Sequence, residues 1–223
     1  MSLGVFITGV GSCKEVPANI ETIKSVKTVL KAEELALAAT SIALKQTGFS
    51  LVQAANLNQH CGIIFGIDDA IDRCKSDFFR GLLSDGPLGA SPLLFPYTSP
   101  NAITAQVTIA FAIKGENITI TSGPLSFLKA VGYGFELINR GVMQSVFVGG
   151  VSENEAMVIK LEVLDKRKIV NRSVVGELIV CKDAHPEDLG SIVSIEDSFR
   201  LMENALKKRE SLNLAGYMLR VKT

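Results

Sequence analysis

An α/β fold, with a largely parallel sheet covered by helices on both faces, is predicted by three features of the sequence. Short apolar runs alternate with longer stretches of helical periodicity. The apolar runs are continuous rather than alternating, as in strands buried on both sides. Glycine and proline mark the junctions between the two kinds of segment.

The elements follow in order. Gly4 to Val10 is a β-branched and apolar run closed by Gly11, and it predicts a first buried strand. Lys14 to Thr28 is polar connection. Ala32 to Thr47 places Leu35, Ala39, Ile42 and Ala43 at helical spacing and stops at Gly48. Cys61 to Ile67 predicts a second strand, with Asp68 and Asp69 opening a helix that runs to Leu83. Ser84 to Pro100 holds four of the seven prolines and predicts a shaped loop. Asn101 to Ile113 is a small-residue helix, Asn117 to Thr121 a third strand, Leu125 to Arg140 a helix, and Gln144 to Val151 a fourth strand. Val174 to Cys181 and Ser191 to Ile195 are further strand candidates, and Ser198 to Arg209 is an amphipathic helix. Residues 1–210 are read as one domain and residues 211–223 as a short C-terminal tail.

Composition excludes several classes of function. Lys plus Arg and Asp plus Glu both number 23, so no net charge favours nucleic acid or an anionic membrane. Hydrophobic residues make up 47% of the 223, ordinary for a folded protein that needs no disulfide or metal staple. Cys13, Cys61, Cys74 and Cys181 form neither a CxxC pair nor a Cys/His cluster, so no metal and no cofactor is expected. No apolar stretch is long enough to span a bilayer, and the N-terminus has no signal-like region. The expectation is a cytoplasmic protein with reduced thiols, in which the NxS/T sequences at Asn117 and Asn171 are chance matches.

From Gly62 to Glu153 the order of features is more specific. It comprises GIIFG (Gly62 to Gly66), Gly86-Pro87, Ser91-Pro92, Pro96, Pro100-Asn101, Ala105, Lys114-Gly115, Arg140-Gly141 and VFVGG (Val146 to Gly150). Ile7 to Gly11 and Gly176-Glu177 extend the pattern on either side. This series resembles the N-terminal half of β-ketoacyl synthases of the thiolase superfamily. The resemblance implies a thiolase-like half: a five-stranded, mostly parallel sheet in the order 3-2-1-4-5, with the last strand antiparallel. It also implies acyltransferase chemistry in fatty acid or polyketide biosynthesis.

That chemistry needs a cysteine at a strand-to-helix elbow, where a helix N-terminus and backbone N–H groups stabilise the thiolate and the oxyanion. The family pattern is close to TACxSG, whereas this chain reads Thr121, Ser122, Gly123, Pro124, Leu125, Ser126. Counting back from Arg140-Gly141 puts Pro124, to within one residue, where the nucleophile belongs. Proline supplies neither a thiol nor an N–H, yet it suits the first position of a helix. Ser122 and Ser126 are alternative nucleophiles only if a base stands beside them. Their structural reading is an N-cap for Ser122 and a first-turn position for Ser126. The histidines that the family draws from its C-terminal half have no counterpart, and His60 and His185 match no motif position. The resemblance therefore implies a pseudoenzyme: a synthase fold with a vestigial elbow and no catalytic residue.

Other features are read plainly. Gly149-Gly150 matches no phosphate loop and serves close strand packing. Phe78-Phe79 and Leu93-Leu94-Phe95 line either an acyl channel or an interface. Lys166-Arg167-Lys168 is a solvated loop, and Glu203 and Lys207 are a helical ion pair. The resemblance also implies a dimer through Asn117 to Thr121, an edge strand that pairs with a second copy or with a synthase-like subunit. It adds an acyl carrier protein as a further partner. Three functions follow: a non-catalytic synthase-like subunit, an acyltransferase or hydrolase using Ser122 or Ser126, and an acyl or carrier-protein binding module.

Overall fold

The computed structural model describes residues 3–48, 60–165, 174–180, 192–208, 210, 212–214 and 217–221. The elements are β1 (Leu3–Cys13), α1 (Lys31–Gln46), β2 (Cys61–Ile67), α2 (Asp72–Asp85), α3 (Asn101–Ala110), β3 (Asn117–Ile120), α4 (Ser126–Asn139), β4 (Ser145–Val151), β5 (Ala156–Asp165), β6 (Gly176–Val180), α5 (Ile195–Lys208), β7 (Leu212–Leu214) and β8 (Tyr217–Val221). Two 3₁₀ turns, Gly86–Gly89 and Phe95–Thr98, shape the proline-rich loop between α2 and α3.

The strands form one sheet in the order β3-β2-β4-β5-β1-β6-β8-β7. The α/β class and the helices on both faces are as the sequence predicts, while strand number and order are corrected. The five-strand core runs 3-2-4-5-1 instead of 3-2-1-4-5, and β6, β8 and β7 extend it past β1. Parallel pairing is confined to β2 with β3 and β2 with β4. β5 is antiparallel to both β4 and β1, and the remaining pairs are antiparallel.

The physical reason lies in the connections. Helical crossovers return the chain in the same direction, but β4 passes to β5 through a tight turn that reverses it. In that turn Ser152 Oγ accepts the Asn154 and Glu155 N–H groups at 3.2 and 3.0 Å, and the Ser152 N–H donates to the Glu155 carbonyl at 2.8 Å.

Period-two alternation sorts each strand's side chains between two cores. On one face Ile63, Phe65, Ile67, Phe147 and Val158 meet α1 and α3. On the other, Ile7, Ile64, Val148, Ile159 and Leu161 meet α4 and α5. α1 lies close enough to β1 that a Cβ on Gly9 would fall 2.1 Å from the Ala43 carbonyl oxygen. One on Gly11 would fall 2.0 Å from that of Ala39. Glu33 organises the start of α1, its Oε2 accepting the Val29 and Leu30 N–H groups at 2.7 and 3.0 Å.

Further differences from the sequence reading are local. Ile195 opens α5 and residues 192–194 form no strand, so the strand expected over Ser191 to Ile195 is not found among the described residues. The 211–223 segment, read as a tail, contributes β7 and β8. α2 begins at Asp72 rather than at Asp68. Cys181, His185, Asn171 and Lys166-Arg167-Lys168 lie outside the described residues.

Candidate functional site

The elbow sits where β3 gives way to α4, at the C-terminal end of the parallel strands. Gly123 takes φ +57°, the left-handed region that glycine enters without strain, and it forms the tip. Pro124 follows it, and Leu125 is the N-cap of α4. Pro124 therefore precedes the helix rather than starting it, and Ser122 is not the N-cap. A Cβ added to Gly123 would meet nothing within 4 Å, so the tip faces open space.

Ser126 braces the turn from within. It is fully buried, and its Oγ accepts the Ser122 N–H at 2.8 Å and donates to the Gly123 carbonyl at 2.7 Å. The Ile67 carbonyl, at 3.3 Å, is a second acceptor in reach. Behind it, Gly66 of β2 lets α4 approach so closely that a Cβ there would fall 2.3 Å from the Ser126 carbonyl carbon. From α5, Ser198 Oγ donates to the Pro124 carbonyl at 3.1 Å, and the Phe199 ring meets Phe127 edge-on at 5.2 Å. The Ser126 hydroxyl is thus engaged in holding the turn.

Ser122 differs. It is half-buried, and its Oγ is in hydrogen-bond contact with Lys129 Nζ from the first turn of α4. Sequence reading missed this pair. The available signal was that helical side chains lean toward the N-terminus, bringing Lys129 back over the strand end. Lys129 is exposed, and its Nζ donates to the Ser122 Oγ.

The described cysteines lie elsewhere. Cys61 starts β2, at the end opposite to the elbow. Cys13 closes β1 and Cys74 belongs to α2. Burial is the leading cause raising the pKa of all three, which keeps them as thiols. His60 is exposed immediately before Cys61, and its carbonyl accepts the Gln144 N–H, so it too stands at the far end of the strand.

Acidic residues follow the end of β2, whose Ile67 carbonyl faces the Ser126 hydroxyl. Asp68 directly follows Ile67. Its carboxyl is raised above the ordinary range first by burial, then by the nearby charges of Asp69, Asp72 and Glu196. Burial likewise leads the upward shift of Asp69. Among the described residues, no cluster of three or more His, Cys, Asp or Glu could hold a metal ion.

The elbow thus joins the edge strand β3 of an α/β sheet to the N-terminus of α4. The family model for the β-ketoacyl synthase N-terminal domain matches residues 4–190, and this chain belongs to that family. Among solved structures it is similar to a type II PKS acyl-carrier protein in complex with its ketosynthase bound to the hexaketide, with TM-score 0.64 and 10% identity over 79% of this chain and 63% of that one. It is also similar to the ishigamide ketosynthase/chain length factor, with TM-score 0.62 and 16% identity over 82% and 65%. A β-ketoacyl synthase from Burkholderia phymatum STM815 gives TM-score 0.62 and 14% identity over 80% and 64%. The chain thus spans less than two thirds of the length of these proteins. A search of the curated proteins finds no match. No helix among the described residues is long and apolar enough to cross a membrane.

Proposed function

We propose that this chain is a non-catalytic synthase-like subunit of cytoplasmic acyl-chain biosynthesis, of fatty acid or polyketide type. The observation that carries the reading is the elbow tip. Gly123 at φ +57° and Pro124 form that tip, and they supply neither a thiol nor, at Pro124, a backbone N–H.

A subunit of this kind acts through partners, and the surface around α2 supports that. Leu83, Leu88 and Leu93 are 84%, 97% and 81% exposed, and Phe79 and Phe95 are also exposed, with Phe78 packed between the two rings. Apolar groups so open to water stabilise nothing in the isolated chain and mark an interaction surface. α3 links this surface to β3, for Thr104 and Thr119 share a hydrogen bond at 2.7 Å. β3 is an edge strand with one side unpaired in the sheet. The partner is a second copy or a synthase-like subunit that adds its own strand to β3, and an acyl carrier protein is a further partner of the pair.

Native mass spectrometry of the chain from its source tests this. A stable dimer or a complex with a synthase-like subunit is expected, without acylation when an acyl thioester is supplied. An acyl adduct on the chain would overturn the non-catalytic reading. The contact of Lys129 with Ser122 favours a second reading, a serine acyltransferase or hydrolase. A serine-reactive phosphonate separates the two, because only the second reading predicts an adduct on Ser122 that is lost in Lys129→Ala.

A further inference from the structure

We draw no further inference here: the strongest candidate, the apolar groove of about 450 Å³ between the C-terminal half of α4, the start of β1, the end of β5 and the middle of β6, is an unpartnered face, and nothing among the described residues shows what covers it.

Discussion

The elbow and the α2 surface are built in opposite ways. The elbow is braced from behind by Ser126, by the close approach at Gly66 and by Ser198 and Phe199 of α5, while its tip is bare. The α2 surface is the reverse, with Leu83, Leu88 and Leu93 pointing outward and little to pack against. Packing behind a site is required for folding, but the group at its tip is required only for chemistry. A change of side chain at the tip therefore leaves the framework intact. Exposed apolar side chains are required by neither, which makes association their simplest explanation.

Substitutions can break this contrast. Phe199→Ala removes a fully buried ring from behind the elbow and should cost about 3–5 kcal/mol, read from the urea midpoint. Gly66→Ala forces a Cβ against the Ser126 backbone and should cost about 1–3 kcal/mol in the same assay. Gly123→Ala, at the bare tip, meets no neighbour and pays only for its left-handed backbone, about 1 kcal/mol. A tip as costly to alter as Gly66 would refute the contrast. The double substitution Leu83→Ser with Leu88→Ser should leave monomer stability within about 0.5 kcal/mol while shifting sedimentation toward monomer.

The smallest expected effect is electrostatic. The folded-state pKa of Asp68 is raised by burial and then by acidic neighbours, so the folded state favours its neutral form. The corresponding stability is present below the ordinary carboxylate pKa and lost as pH rises through the raised value. Asp68→Asn should therefore raise Tm at neutral pH and leave it unchanged in strong acid, as followed by thermal scans across pH.

Much of the fold was legible because its strands are short apolar runs with clear stops, and β2 has the limits that the sequence predicts, Cys61 to Ile67. β5 was missed because Lys160 and Glu162 interrupt its apolar pattern. In the structure they are buried together as an ion pair at 3.0 Å, with Lys160 5.5 Å above the Phe147 ring. That pairing depends on strands distant in sequence, so local reading saw charge where the fold has core. Without β5 the reversal after β4 was invisible, and the strand order implied by the resemblance had nothing in the residue pattern to correct it. At the elbow the residue types from Ser122 to Ser126 were legible, whereas the tip at Gly123 is set by backbone angles that no residue pattern fixes to one position.

The closeness of α1 to β1 at Gly9 and Gly11 has a consequence for cooperativity. With alanine carbonyls of the helix nearly touching bare glycines of the strand, neither element can slip or open without separating the other. β1 holds β5 on one side and β6 on the other, so a local opening there would divide the sheet into two fragments. Helix and strand thus form a hinge pin: the last part to yield when the chain unfolds, and the part that makes the two ends of an eight-stranded sheet behave as one body.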